Sequence, residues 1–184
     1  MTDIAVTERL AEGVDATVRR AAGGDTAAFT ELVVAHHAAM ARVAYVVSGD
    51  AELTLDAVQA AWSIAWRRLA TLRDPAQVRP WLVAIAANEA RQLVRRRRRH
   101  TVVDLSMADG AISVFADPSD TIALVDLERA LRRLGPDDRL VLALRFVAGL
   151  DSTEIATHLG GSASGVRSRL ARVLARLRLD LDHA

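Results

Sequence analysis

The sequence contains no cysteine and no lysine, and aromatic residues make up only 4% of its 184 residues. Without cysteine the chain cannot form a disulfide, a thiolate metal site or a cysteine nucleophile. All 24 basic residues are arginines. Codon usage in a GC-rich genome explains such a bias, but the guanidinium group also stays charged and can pair bidentately with a phosphate or a guanine.

Long hydrophobic runs are also missing. No apolar stretch approaches the roughly 20 residues that span a membrane, and the N-terminus lacks a basic segment followed by an apolar one. We therefore expect a cytoplasmic protein without direct membrane insertion. The five histidines are scattered, and neither a phosphate-binding glycine loop nor a Ser/His/Asp set stands out. We expect no enzyme: no catalytic residue, metal, cofactor or small-molecule substrate.

What the chain does contain favours helices. Hydrophobic residues make up 51% of it, with Ala, Leu, Val and Arg in excess, and Ala, Leu and Arg lose little on entering a helix. Alternation by two never extends beyond a few residues, which argues against strands. The sequence predicts an all-α protein with two small helical domains joined by a flexible acidic linker.

Breaks in the helical periodicity divide the chain into four parts. Residues 1–24 form an N-terminal extension that ends in two glycines, and residues 25–100 form the first helical domain. Residues 101–121 are acidic and aperiodic, and residues 122–184 form the second domain. Two interpretations of the linker stay open. The linker or the N-terminal segment could fold back over the basic surfaces of the two domains, or the linker could only tether two independent domains.

The first domain has apolar residues at helical spacing. In residues 53–69 one face combines leucine, valine and tryptophan, while Asp56 and Gln59 lie off that face. We interpret the tryptophans, including Trp81, as core residues. His36 and His37 lie on or beside the stripe of the preceding helix and are interpreted as core or interface residues. The two predicted stripes consist of Phe29, Leu32, Val33, Met40, Val43 and Val47, and of Leu55, Val58, Trp62, Trp66 and Leu69.

The second domain contains a helix-turn-helix pattern. Asp151 and Glu154 have the spacing of a capping box, Gly160 and Gly161 permit a sharp turn, and Ser162 or Ser164 can cap the next helix. That helix has a basic flank beside an apolar stripe, as expected of a helix that enters the major groove. An ordinary helix pair with a solvated basic face is the alternative. The stripe consists of Val166, Leu170, Val173, Leu174, Leu177 and Leu181.

These segments resemble the sigma-70 family of RNA polymerase subunits. Residues 134–142 leading into 149–178 are similar to sigma region 4, although this half also resembles the DNA-binding domain of LuxR-type regulators. Residues 56–66, with 81–88 and the arginine run 95–99, are similar to sigma region 2. The order and spacing resemble the extracytoplasmic-function (ECF) sigma factors, which have regions 2 and 4 only.

The resemblance implies partners and site residues. It implies binding to core RNA polymerase, including its beta-prime and beta subunits, to double-stranded and melted promoter DNA, and to an anti-sigma factor that could hold the protein at the membrane. Polymerase contacts fall on Asp56, Val58 and Gln59, and contacts with the downstream promoter element on Asn88, Arg91, Arg95, Arg96 and Arg97. Contacts with the upstream element fall on Ser164, Arg167, Ser168, Arg169, Arg172 and Arg176.

Three positions depart from the family pattern: Ala60, Ala87 and Gly165. They leave open an atypical promoter preference or weak promoter melting. The exposed polar residues also have a simpler interpretation as solvated helix faces. A stand-alone helix-turn-helix regulator is the alternative function, but residues 1–100 lack the strand and helix alternation of a receiver domain.

Overall fold

The computed structural model describes residues 13–101 and 121–182, and all regular structure in these ranges is helical. Two short 3-10 turns, Leu69–Thr71 and Pro75–Gln77, separate the third and fourth helices. The predicted all-α fold is confirmed. In chain order the α-helices are α1 (13–22), α2 (Thr26–Ser48), α3 (Ala51–Arg68), α4 (Val78–Thr101), α5 (Thr121–Arg133), α6 (Pro136–Leu142), α7 (Ser152–Leu159) and α8 (Ala163–Asp182).

The expected breaks around α2 are made by caps. The Asp25 carboxylate accepts hydrogen bonds from the backbone N–H groups of Ala27 and Ala28 at 2.9 and 3.0 Å, which satisfies donors that the first helical turn leaves unpaired. Gly49 ends the helix in the left-handed conformation, with φ of 67°. Asp50 then caps α3 by accepting from the Leu53 N–H at 3.0 Å.

Residues 13–22 were expected to belong to an extension, but they form a helix with buried residues. Val18 and Ala21 are buried, and Arg20 pairs with Glu31 of α2 at 3.0 Å. The part of the extension before residue 13 lies outside the described residues, as does the linker between residues 102 and 120. Helix α1 therefore belongs to the first module, which consists of helices α1 to α4.

The first module is a bundle in which α2, α3 and α4 pack against one another. Small residues of α3 face the interior, namely Thr54, Ala57, Ala61 and Ala65 beside Val58. Because these side chains are short, the neighbouring helices supply most of the apolar volume. Its largest fully buried side chains are Met40, Val43, Val47, Leu69, Val78, Leu82 and Val83.

Two residues of the predicted stripe in α3 were assigned to the core wrongly. Leu55 is 68% exposed and Trp66 is 43% exposed. The buried line of α3 passes through its small residues, so Leu55 and Trp66 lie at the rim of the bundle. Both tryptophans of α3 contact the Phe29 ring edge to face, with centroid distances of 5.6 Å for Trp62 and 4.8 Å for Trp66.

The second module packs α7 against α8, with α5 and α6 also against α8. Val166, Leu170, Val173 and Leu177 are buried as the stripe predicts. Leu181 is 39% exposed, so its assignment to the buried stripe was wrong: the last turn of α8 is largely exposed. The core of the second module includes Ala130, Leu134, Leu140, Leu144, Ile155, Leu170 and Val173.

The two modules share one hydrophobic core, because α6 and the π-helical turn Ala143–Val147 pack against α2 and α4. Arg139 of α6 is only 4% exposed. Its Nη1 donates a hydrogen bond to the Ser48 carbonyl at 3.3 Å, at the C-terminal end of α2. Burial, followed by the nearby charges of Arg98 and Arg132, lowers the pKa of Arg139 to about 10.

Gly49 is predicted to be required at this contact. A Cβ at position 49 would lie 2.9 Å from Arg139 Nη1, and the positive φ would strain any L side chain. We expect Gly49→Ala to cost more than the ~1–2 kcal/mol of left-handed strain alone. Gly160→Ala is the control, since it shares the helix-ending role and a φ of 68° but has nothing within 4 Å. If urea denaturation showed the same loss in free energy of unfolding for both variants, a steric role for Arg139 would be contradicted.

Candidate nucleic-acid interface

The helix-turn-helix begins with the predicted capping box. The Asp151 carboxylate accepts from the N–H groups of Thr153 and Glu154 at 2.7 and 2.9 Å, and Glu154 Oε2 accepts from the Asp151 N–H at 2.7 Å. The Glu154 and Thr153 hydrogen bonds hold the pKa of Asp151 below its ordinary value. Gly160 makes the turn, and Ser162 caps α8 by accepting from the Gly165 N–H at 3.1 Å.

Helix α8 buries its apolar stripe and leaves a basic flank. Most of the residues assigned to the upstream element are exposed: Ser164, Arg167, Ser168, Arg172 and Arg176. Arg169 differs, because its Nε donates to the Asp138 carboxylate of α6 at 2.7 Å. Arg169 is therefore held within the module and is less available to a base edge than the sequence suggests.

Helix α4 carries the residues assigned to the downstream element. Arg91 and Arg95, one turn apart, both pair with Asp137 of α6, at 3.5 and 2.6 Å. Arg97 pairs with Asp50 at 2.6 Å, which joins α4 to the start of α3. Arg96 is exposed. The arginine run thus continues the helix, and three of the four arginines assigned to the downstream element form ion pairs.

Asn88 lies in a cavity of about 320 Å³ between the modules. Its walls come from α3 and α4, and His158 and Leu159 of α7 line it on the side of the second module. Burial lowers the pKa of His158, against an opposing effect of Glu154. The sequence identified Asn88 as a candidate, but nothing in it indicated that α7 would line the same pocket.

The residues assigned to polymerase binding divide into two groups. Asp56 and Gln59 are exposed on α3. Val58 is 3% exposed, belongs to the core and lines a groove on this side of the bundle, and its assignment to polymerase binding stays a prediction. Beside Gln59, a groove of about 510 Å³ runs between α2 and α3. Leu55, Trp62 and His37 line it, and Trp62 Nε1 donates to His37 Nδ1 at 3.3 Å.

Two further features bear on function. In the two described ranges, no group of three or more His, Cys, Asp or Glu residues is arranged to hold a metal. Within the same ranges, no helix is both long enough and apolar enough to cross a membrane.

Comparison with known proteins identifies both modules. The family model for Sigma-70 region 2 matches residues 32–100, and the model for Sigma-70 region 4 matches residues 124–177. The chain is 33% identical over 184 residues to the RNA polymerase sigma factor NccH of Alcaligenes xylosoxydans xylosoxydans, covering 96% of this chain and 95% of the relative. It is 32% identical over 169 residues to the ECF RNA polymerase sigma-E factor of Escherichia coli (strain K12), covering 84% and 87%.

Another relative is longer. The chain is 36% identical over 169 residues to the "Probable RNA polymerase sigma factor RfaY" of Xanthomonas campestris pv. campestris, covering 88% of this chain but only 42% of that relative's length. Among solved structures, CnrH in complex with the cytosolic domain of CnrY matches with a TM-score of 0.67 and 28% identity, covering 92% of this chain and 97% of that one. RpoE, solved with the anti-sigma factor NepR from Bartonella quintana, matches with a TM-score of 0.70 and 22% identity, covering 84% and 96%, and supports the fold alone.

Two helical modules, the second with a capped helix-turn-helix and a basic flank, define a helical DNA-binding class of protein. Within this class, the family is identified by the matches to sigma region 2 in the first module and to sigma region 4 in the second. This chain belongs to the sigma-70 family, as an ECF sigma factor with regions 2 and 4. Sigma factors direct RNA polymerase to promoters, and a stand-alone regulator is not favoured.

Proposed function

We propose that this chain binds core RNA polymerase and uses α8 to read an upstream promoter element and α4 to capture the melted downstream element. The observation that carries the proposal is the exposed arginine flank of α8 directly after a capped helix-turn-helix turn. An arginine near the start of such a helix reaches base edges, and arginines further along reach phosphates. Arg167 takes the first role, and Arg172 and Arg176 take the second.

The downstream element is assigned to α4 because that helix combines an amide with a row of cations. Asn88 offers a donor and an acceptor to an unstacked base. The arginines one or more turns further along would follow the phosphates of the melted strand. They are Arg91, Arg95, Arg96 and Arg97.

Polymerase binding is assigned to the outer face of α3. Asp56 and Gln59 are three residues apart and exposed, so they present polar groups on one helical face. The adjacent groove contains the exposed Leu55. An apolar groove beside polar groups is suited to a helix of the beta-prime subunit. The beta subunit is assigned to region 4 by family membership.

The proposal is tested by transcription with purified core polymerase and a library of promoters. The chain should start transcription from a subset of library members. Replacing Asp56 and Gln59 together with Ala should weaken binding to the core enzyme by about tenfold, since two interface side chains of this type contribute ~1–2 kcal/mol. Pull-down with core polymerase and circular dichroism would measure binding and helicity.

Glu52→Ala is the matched control, because Glu52 is another exposed acidic residue of α3. It should leave binding to the core enzyme unchanged. If the double variant binds as tightly as the natural chain, the interface lies elsewhere. If the natural chain supports no transcription from any promoter, the proposed function itself is wrong.

We also propose that an anti-sigma factor regulates this chain. Two structures with the same fold contain a second protein, the cytosolic domain of CnrY in one and the anti-sigma factor NepR in the other. The exposed apolar residues of α2 and α3, Val34 and Leu55, are candidates for such a contact. Through this partner the chain could be held at a membrane, although none of its described helices could span one.

A further inference from the structure

Arg169 of α8 is held by a carboxylate of a neighbouring helix. Its Nε donates a hydrogen bond to Asp138 Oδ1 at 2.7 Å, across 31 positions of the chain. The other arginines assigned to the upstream element make no ion pair with any residue that the structure describes, namely Arg167, Arg172 and Arg176. Arg169 therefore differs from them in having a defined orientation before DNA is bound.

The acceptor Asp138 is itself firmly placed. It lies in the first turn of α6, which packs against α8. The two residues that follow it, Arg139 and Leu140, are 4% and 1% exposed. The backbone of this turn cannot shift without disturbing the core, so the short side chain of Asp138 offers its oxygen at a fixed place beside α8.

The pair uses only part of the Arg169 guanidinium. A guanidinium carries five N–H donors in a planar fork, and the bond to Asp138 occupies the one on Nε. The Arg169 side chain stays 38% exposed, and neither of its Nη groups donates a hydrogen bond to another described residue. The two Nη groups are therefore left as paired donors, which is the arrangement that a phosphate accepts bidentately.

The place of Arg169 on α8 favours a phosphate as the acceptor. Arg172 and Arg176 follow it by three and seven residues, and residues at these intervals lie along one face of a helix. Both are exposed, and the proposed function assigns both to phosphates. Together the three arginines form a row that covers about 10 Å of the helix axis. Arg169 begins this row.

We propose that Asp138 is a positioning residue for DNA binding: it holds Nε of Arg169 so that the two Nη groups meet a backbone phosphate of the upstream element. The proposal rests on the proposed function of α8. An unrestrained arginine loses rotamer freedom when it binds, whereas Arg169 has lost much of that freedom beforehand. Phosphate contacts fix the register of a protein on the duplex without reading its sequence. Asp138 thus strengthens binding to all upstream elements alike, although its own charge repels DNA.

Two substitutions of Asp138 separate its hydrogen bond from its charge. Asp138→Asn and Asp138→Ala both remove the negative charge, but only asparagine keeps a side-chain oxygen that can accept from Arg169 Nε. Competition binding of duplex promoters from the library would be measured with the full chain assembled on core polymerase. We expect Asp138→Ala to bind about threefold more weakly than Asp138→Asn, the effect of one long side chain that must be ordered on binding. The loss should be the same for all upstream sequences.

Arg169→Ala is the control for effects of position 138 that do not pass through Arg169. In this background Asp138→Asn and Asp138→Ala should bind equally well, because neither has a guanidinium to hold. Arg169→Ala alone should reduce the salt slope of binding by about one, as the loss of one phosphate contact does. A difference between the two Asp138 variants that persists without Arg169 would overturn the proposal.

Arg169→Lys tests the pair from the other side at unchanged net charge. A lysine ammonium is a single point charge, so it cannot hold Asp138 with one group and a phosphate with two others. It should bind about threefold more weakly than the natural chain. Circular dichroism and urea denaturation identify any variant that loses its fold, and Arg169→Lys still decides the matter if Asp138→Ala is such a variant.

Equal affinities of Asp138→Asn and Asp138→Ala would overturn the proposal, as would an Arg169→Lys chain that binds as tightly as the natural one. Failure of the proposed function is distinguishable from these results. In that case the natural chain with core polymerase shows neither promoter-specific binding nor transcription, and both proposals are wrong. If only the role of Asp138 is wrong, the natural chain binds its promoters and the variants alone depart from expectation.

Discussion

Replacing Leu82 with Ala should lower the free energy of unfolding by about 2–5 kcal/mol, the range expected when a fully buried leucine is truncated. Leu82 of α4 is 1% exposed and belongs to the hydrophobic core. The loss combines the transfer free energy of the removed methyl groups with a cavity that the rigid bundle cannot close. Urea denaturation followed by circular dichroism would measure it.

Leu55→Ala is the same chemical change at a residue that is 68% exposed. It should change the free energy of unfolding by at most about 0.5 kcal/mol. The pair of variants therefore separates the core seen in the structure from the stripe expected from periodicity. A loss at Leu55 comparable to the loss at Leu82 would restore the original assignment of Leu55 to the core.

Replacing Arg167 with Ala should relax the sequence preference for the upstream element by about 1–3 kcal/mol, the contribution of a bidentate contact with guanine. Arg167 lies in the second turn of α8 and is exposed. Competition binding against a library of upstream elements would measure the effect. The preferred and disfavoured sequences should converge in affinity.

Arg176→Ala is the comparison, since Arg176 is also exposed but lies further along α8. It should weaken binding evenly across sequences and flatten the dependence on salt, as expected when a phosphate contact is lost. Identical binding profiles for the two variants would refute the division between base and phosphate contacts. Arg169 is less suited to this test, because its variant would also lose the ion pair with Asp138.

Local features were predictable from the sequence. Helix caps depend on residues within one turn, so Asp25, Asp151 and Glu154 could be identified from spacing alone. Long apolar stripes gave the positions of α2 and α8 for the same reason. The exposed arginines of α8 followed from the stripe that they flank.

Contacts between distant segments were not predictable. The spacing of leucine and tryptophan on α3 is helical, yet the neighbouring helices pack on its alanines, so Leu55 and Trp66 stay at the rim. Val58 shows that a residue between two exposed polar positions can still face inward. Periodicity shows that a face exists but not which part of it another helix covers.

The contact between the modules was missed for a related reason. Nothing in the sequence around Asp137 and Arg139 indicates a distant partner, and Arg91 and Arg95 were assigned to the downstream promoter element. Their pairing depends on how α6 lies across α4, a relation between residues more than 40 positions apart. A charge cluster in a sequence thus identifies a surface, while its occupant is known only once the fold is known.

The aspartate caps make the start of one helix in each module sensitive to acid. Burial would raise the pKa of Asp50, but the hydrogen bond from the Leu53 N–H and the Arg97 guanidinium lower it, and backbone hydrogen bonds lower that of Asp151. A carboxyl whose pKa is lower in the folded chain stabilises it above the unfolded-state pKa. That contribution disappears as pH falls through the folded-state value, so acidification loosens the N-terminal turns of α3 and α7 together.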